Sequence, residues 1–360
     1  MANSQKQKKI LLLVSSPFQY WCAQEYLHQF GLERGMVSVV NAATFCDNSM
    51  NQIEKLHKRL PNLSIHTLAI PKQGDLEERI KPYAYLTEEL SSEVFDFVLL
   101  GDLRQIWMQD VACSINADNI VLVDDGAATN VFVEKLIAPA QFTLPISLHE
   151  QSPTRKQEAL NIKEKLGLQL NQKRFTLYSV FPFDSGHSVV QNRLSALKSM
   201  FDKNVEKPAE EIHFIGSPVA EKGIVTAQDY EEILRDVVRV ASPNSTLFYF
   251  AHRAENLVAK GQLLKDLGFK IEIHDEPYEL ICAKQNRVPQ QIVGMHSTSL
   301  FNMKILFGDR IDATCYKINK AKLKELGEVM WGSDKFTLKD HIESIYRRLD
   351  EFNITARYPS

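Results

Sequence analysis

Short apolar runs alternate with longer segments whose apolar residues recur at helical spacing, and this alternation organises the first half of the chain. Ile10–Val14, Val37–Val40, Ser64–Ala69, Phe97–Leu100 and Asn119–Val123 read as strands. Between them Tyr20–Phe30, Asn51–Leu60, the charged stretch Leu76–Leu90 and Ala127–Leu136 carry helical patterns. Strands alternating with amphipathic helices predict a parallel sheet wound on both faces. Right-handed crossovers then place every strand's C-terminal loop on one edge.

The pattern weakens between Ala138 and Gln172, where Pro139, Pro145, Pro153 and a charged helical piece fall, and the interdomain region is expected there. A second series follows. Its strands are expected near Phe175–Val180, Glu211–Ile215, Thr246–Phe250, Lys270–Ile273, Gln291–Gly294 and Arg310–Ala313. Its helices are expected at Ala227–Ala241, Glu255–Leu267 and Ser299–Phe307, and Thr337–Phe352 reads as a long C-terminal helix with Thr337 and Asp340 at capping-box spacing. The expected fold class is α/β: two Rossmann-like doubly wound domains, residues 1–155 and 156–360, facing across a cleft. A chain of 360 residues suits two cores better than one.

Composition narrows the function without naming it. With 44% hydrophobic and 24% charged residues and a net charge of -3, the chain is globular and has no global attraction to nucleic acid. Cys22, Cys46, Cys113, Cys282 and Cys315 are odd in number and lack Cys-x-x-Cys spacing, which points to reduced thiols in the cytoplasm. No run approaches the roughly 18 apolar residues of a membrane span. Lysines before Ile10–Val14 mimic a signal peptide, but the apolar run is too short and no cleavage site follows. Lys317, Lys320, Lys322 and Lys324 form a basic stretch, which leaves peripheral attachment to the inner membrane open beside a plain solvated helix face.

The candidate chemistry begins at Val-Leu-Val-Asp-Asp-Gly, residues 121–126, where a strand ends in two carboxylates. Ligands of doubly wound sheets bind beyond the strands' carboxyl ends. Two adjacent acids in a desolvated crevice repel, so one can titrate high and serve as a general base. Turns also favour Asp and Gly for purely local reasons. Gln19, Asp102 and Arg104 fall on the loops after two other strands and are expected at the same edge, as acceptor-side candidates.

In the second half Gly216-Ser217-Pro218, His252-Arg253, Glu276-Pro277-Tyr278-Glu279 and His296-Ser297-Thr298-Ser299 follow successive strands. Gly216 lets backbone approach a base, lacking a Cβ. His252 can contact a phosphate and give it a proton, and Glu279 can accept the hydroxyls of a ribose. Ser297, Thr298 and Ser299 open a helix whose amides and dipole favour an anion. Each piece has an ordinary reading as a cap, a turn or a structural histidine. Their joint placement is what suggests a nucleotide site.

Taken together, Ser-Ser-Pro-Phe-Gln, Asp-Asp-Gly, Ile-Gly-Ser-Pro, the histidine after a strand and His-Ser-Thr-Ser-Leu resemble the bacterial sialyltransferases: the lipooligosaccharide sialyltransferase family and its capsule polysialyltransferase relatives. The resemblance spans roughly residues 9 to 307 in short motifs. It implies the GT-B arrangement, with an acceptor-side domain carrying the base (1–155) and a nucleotide-sugar-binding domain (156–360). It further implies an inverting transferase of lipopolysaccharide or capsule biosynthesis, moving a nonulosonic acid from a CMP-activated donor to a glycan hydroxyl. Asp124 is then the favoured base and Asp125 the second choice. His252 is the general acid at the donor phosphate, Ser297 and Thr298 bind that phosphate, Glu279 holds the ribose and Gly216 lies near cytosine.

The family has His-Pro where this chain has His252-Arg253. A second acidic match, Glu221-Lys222-Gly223, follows Ile-Gly-Ser-Pro, but only Asp124-Asp125-Gly126 ends a clear strand in the first domain. With no Asp-x-Asp and no His/Cys cluster, no metal or cofactor is expected. The partners expected are the nucleotide-sugar donor and a glycan acceptor, with a homodimer left open. Other readings stay open: CMP-pseudaminate, CMP-legionaminate, CMP-Kdo or a UDP-hexose as donor, a sugar-nucleotide 2-epimerase, or a silent glycan-binding protein.

Overall fold

The computed structural model describes residues 7–42, 53, 63–71, 73–184, 188–201 and 209–359. The chain divides into two compact units, Met1–Asn192 with Gly332–Lys335, and Arg193–Trp331 with Phe336–Ser360. The helix expected at Asn51–Leu60 and Cys46 lie outside the described residues, Ile53 excepted.

The first unit is built on β1 (Lys9–Val14), β2 (Met36–Ala42), β3 (Leu63–Leu68), β4 (Val94–Leu100) and β5 (Asn116–Val123). A small antiparallel pair, β6 (Thr143–Leu144) with β7 (Lys173–Arg174), precedes β8 (Thr176–Ser179) and β9 (Val189–Gln191). The main sheet runs β3-β2-β1-β4-β5-β8-β9, and every pairing in it is parallel. Ile10 through Val14 are fully buried, as a strand covered by helices on both faces demands. Ser16 caps the helix Pro17–Gln29 by accepting from Gln19 N–H, and Pro17 fills its first position, where no N–H is required.

The second unit holds β10 (Ala209–Ile215), β11 (Thr246–Phe250), β12 (Lys270–Glu272), β13 (Pro289–Gly294), β14 (Asp312–Tyr316) and β15 (Thr355–Arg357). They run β12-β11-β10-β13-β14-β15, again all parallel. Thr226 and Asp229 form a capping box on the helix Ala227–Val240, which packs Tyr230, Ile233, Leu234 and Val237 against Phe214, Tyr249 and Val293 of the sheet. In each sheet the chain winds outward from the centre, returns and winds the other way. The reversals lie between β1 and β4 and between β10 and β13.

The observed break lies at residue 192, whereas the sequence pattern places it at 155. Phe175–Val180, expected to open the second domain, is β8 and extends the first sheet beside β5. The weak stretch before it is a surface helix, Pro153–Lys165, with no buried residue. Such a helix has no apolar stripe to show and so resembles a linker. Lys163 ties it to buried Asp110 at 2.8 Å, and Asp110 also accepts from Tyr83 at 2.9 Å. The C-terminal helix stops at Tyr346, and a short turn ending at Asn353 (φ 51°) redirects the chain into β15, which the sequence pattern did not show.

That last strand is secured by a buried acid. Asp236 accepts from Tyr316 Oη at 2.6 Å and Arg357 Nε at 2.7 Å and also pairs with Arg239, joining the helix Ala227–Val240 to β14 and β15. Asp236→Ala leaves a buried hydroxyl and a guanidinium without their acceptor. It should cost about 2–3 kcal/mol, read as a lowered urea midpoint by circular dichroism.

Candidate active site

Around the reversal of the first sheet, the loops after β1, β4 and β5 bring four of the expected residues into one network. Gln19, 2% exposed, accepts at Oε1 from Ser15 N–H at 2.8 Å and from its hydroxyl at 3.1 Å. Its Nε2 donates to Asp125 Oδ1 at 2.8 Å. Asp102 accepts from Arg104 N at 2.8 Å and Nε at 3.0 Å, and the same guanidinium reaches Asp125 Oδ2. Arg104 also lies over the Phe132 ring at 5.1 Å, which shields its rear face. Gly101 makes this possible: a Cβ there would overlap the Gln19 side chain, standing 2.7 Å from its Cβ and its Cδ.

One guanidinium is therefore divided between two carboxylates, and the trio carries a surplus negative charge when both are ionised. Burial pushes the Asp102 carboxyl above its ordinary value and Asp125 adds to this, while Arg104 opposes both. Burial works against the Arg104 charge, but Asp125 and Asp102 together outweigh it and hold the guanidinium firmly protonated.

Asp124, which the sequence reading favours as the base, is enclosed. Its side chain is 0% exposed, and Oδ2 accepts the Val180 N–H at 2.7 Å, fixing the turn after β8. Burial raises its carboxyl to about 7, opposed by hydrogen bonding from Ser179, Val180 and Thr129. Just past the end of β5, the bond to Val180 holds Asp124 inside and leaves Asp125, with its side chain 15% exposed, as the more reachable acid.

In the second unit Gly216 and Ser217 follow β10, His252 follows β11, and Ser297 and Thr298 follow β13, all at the C-terminal edge of neighbouring strands. Ser297 caps the helix Thr298–Phe307 by accepting from Ser299 N–H at 3.2 Å, which leaves its first amides facing the edge. His252 Nδ1 accepts from Ala254 N–H at 3.1 Å. Partial withdrawal from water, then Arg253 and Lys222, lower the ring to about 4, so it is neutral near pH 7. A neutral ring that accepts at Nδ1 carries its proton on Nε2.

The sequence reading missed what holds this loop. Glu255, wholly buried, accepts from His252 N–H at 2.7 Å and from Tyr249 Oη at 2.5 Å, and pairs with Lys260 at 2.6 Å. Lys260 also pairs with Glu221 at 2.9 Å and lies over the Tyr230 ring. Glu255 stands three residues after His252, which hints at a local turn, but Lys260 and Glu221 meet it only through the fold. Gly216 has its reason here too, since a Cβ would strike the Glu255 carboxylate and approach Tyr249 Oη to 2.9 Å.

Glu279 and Ser299 fall together, but inward. Glu279 is 2% exposed and accepts from Asn302 Nδ2 at 2.7 Å, with the Ser299 hydroxyl beside it; burial raises its carboxyl above the usual range. It ties the helix Tyr278–Gln285 to the helix opened by Thr298 instead of presenting an open carboxylate for a ribose.

A scan against protein-family models finds no match, and neither does a search of curated proteins. Among solved structures the chain is similar to a Listeria monocytogenes protein described as a UDP-N-acetylglucosamine 2-epimerase, at 13% identity over 97% of this chain and 89% of that one, TM-score 0.51. It is also similar to Arabidopsis thaliana UGT89C1 complexed with UDP-L-rhamnose, at 12% identity over 98% and 85%, TM-score 0.50. A sialyltransferase from Photobacterium damselae gives 10% identity over 97% and 100%, with a TM-score of 0.48 from which nothing further follows. At these identities the likeness shows the fold alone, two Rossmann-like α/β domains of the GT-B type. No described helix is long and apolar enough to cross a membrane.

Because the buried Asp124 carboxyl titrates near 7 in the fold and near 4 when unfolded, the native state holds the extra proton between those values. Its contribution to stability therefore falls as pH rises through that window, by at most about 1.4 kcal/mol per pH unit. Asp124→Asn keeps an oxygen for Val180 N–H and removes the titration. Its melting temperature relative to the unsubstituted chain should climb from pH 4 to pH 7 and then level off, measured by scanning calorimetry.

Proposed function

We propose that this chain is an inverting glycosyltransferase that moves sialic acid, or a related nonulosonic acid, from a CMP-activated donor to a hydroxyl of a glycan acceptor. The observation that carries the donor half is His252: an exposed neutral imidazole with its proton on Nε2, at the same sheet edge as a capped helix N-terminus. A leaving phosphate needs donors where its charge grows. His252 Nε2–H and the first amides of the helix Thr298–Phe307 supply them, with the Ser297 and Thr298 hydroxyls alongside. The preference for CMP and a nonulosonic acid rests on the resemblance of the motifs.

On the acceptor side Asp125 serves as general base. It has the exposure that Asp124 lacks, and its arginine is shared with Asp102, so its charge is only partly offset. Gln19 and Arg104 fix the carboxylate's orientation through both oxygens. The acceptor hydroxyl gives its proton to Asp125 and its oxygen attacks the anomeric carbon. The bond from that carbon to the CMP phosphate breaks on the opposite face, and the leaving phosphate keeps the bonding electrons, its growing charge met by a hydrogen bond from His252 Nε2–H. Displacement from the opposite face inverts the anomeric centre. Glu279 acts as a positioning residue, seating Ser299 and the helix start that meets the phosphate.

Incubation with CMP-sialic acid and a panel of galactosides, following CMP release, tests the reading. Asp125→Asn and His252→Ala should each lower release about 10²- to 10⁴-fold, and Asp124→Asn should lower it less than Asp125→Asn. Release of UDP from a UDP-hexose in place of CMP would transfer the activity to a hexosyl donor. Absence of CMP binding by calorimetry would overturn the sialyltransferase reading.

A further inference from the structure

Lys222 sits in the turn that follows β10, and the chain fixes that turn from both sides. Lys222 N donates to Pro218 O at 3.0 Å, Gly223 N to Ala220 O at 3.0 Å and Ile224 N to Val219 O at 2.8 Å. Gly223 closes the turn at φ 67°, a left-handed conformation that glycine adopts at no steric cost. Val219, Ile224 and Val225 are part of the buried core beneath. Glu221 accepts from Asn256 N–H at 2.9 Å and pairs with Lys260, which stitches the turn to the loop that carries His252.

Set on this rigid support, the Lys222 side chain itself is exposed, and no described residue pairs with its ammonium. Its charge bears on both His252 and His296. Two polar atoms on the loops after β10 and β13 are buried without a hydrogen-bond partner: Ser217 Oγ and His296 Nδ1. Buried polar atoms of this kind are normally satisfied. The strands that carry them are neighbours at the reversal of the sheet, where such folds bind ligands.

The charge balance of this edge is uneven. Both histidines are neutral near pH 7, so each offers hydrogen bonds without a formal charge, and Lys260 is already engaged by two carboxylates. We propose that Lys222 is the charge-pairing residue of the donor site, its ammonium binding the donor phosphate alongside His252 and the helix start, with Ser217 and His296 completing that anion's hydrogen bonds. This rests on the nucleotide-sugar reading above and adds to it a residue that the acidic-motif comparison set aside. Lys222 precedes Gly223 in this turn, and only the fold brings the turn beside the loop that carries His252.

Calorimetric titration of the full chain with CMP, and with cytidine as the probe lacking phosphate, tests this. Lys222→Gln should weaken CMP binding about 10- to 100-fold, the range of a lost charged hydrogen bond. Cytidine affinity should stay unchanged, Lys222→Arg should recover most of the CMP affinity, and the salt dependence of CMP binding should flatten in Lys222→Gln. Equal CMP affinity in Lys222→Gln, or an equal loss for cytidine and CMP, would overturn the proposal while leaving the donor reading standing. If the unsubstituted chain binds UDP in preference to CMP, the donor reading fails, and the same comparison with UDP and uridine decides Lys222. Binding of none of these nucleotides overturns both.

Discussion

Parallel pairing is the constraint from which both sites follow. Each crossover between parallel strands must return the chain to the starting end of the sheet, so all the loops at the opposite end collect on one edge. In the first unit this brings Gln19, Asp102, Arg104 and Asp125 together although more than a hundred residues separate the first from the last. In the second it aligns Ser217, His252 and Ser297. The reversals of winding, at β1/β4 and β10/β13, open the sheets where neighbouring loops diverge, and the candidate residues sit around these two points.

The two groups handle charge in different ways. In the first, two carboxylates compete for one guanidinium, which keeps a negative charge poised at the surface. In the second, the Glu255 side chain is enclosed and answered by Lys260, Tyr249 and a backbone amide, and so serves to hold the His252 loop. The first is an arrangement that can take up a proton. The second pairs its carboxylates with Lys260 and backbone amides, so they hold the loops in place.

The alternation of strands and helices and the residues at strand ends were legible because they depend on local pattern: apolar runs, caps and turns. What was not legible depends on which face a residue meets. Asp124 and Asp125 are neighbours in one turn, and only the meeting with the residue after β8 takes one inward to Val180 while the other stays at the edge. Glu279 reads as a carboxylate open to a ribose, but Asn302, 23 residues later, holds it in the interior. The helix Pro153–Lys165 covers so little of the core that its sequence resembled a linker, and β15 is too short to announce itself. Glu255, Lys260 and Glu221 form a network through three separate segments, for which a single sequence carries no signal.

Gly332–Lys335 belongs to the first unit although the chain on either side of it belongs to the second. Ser333 Oγ donates to Leu148 O at 2.5 Å, Asp334 accepts from Glu150 N–H at 2.5 Å, and Gly332 lies against the Arg104 stem, where a Cβ would come within 2.8 Å. The guanidinium that orients Asp125 is thus backed by residues translated more than two hundred positions later than itself. As the chain leaves the ribosome, the first sheet can form early, but its arginine acquires its full packing only once residues 332–335 have been made. The acidic site is therefore among the last parts of the first unit to mature.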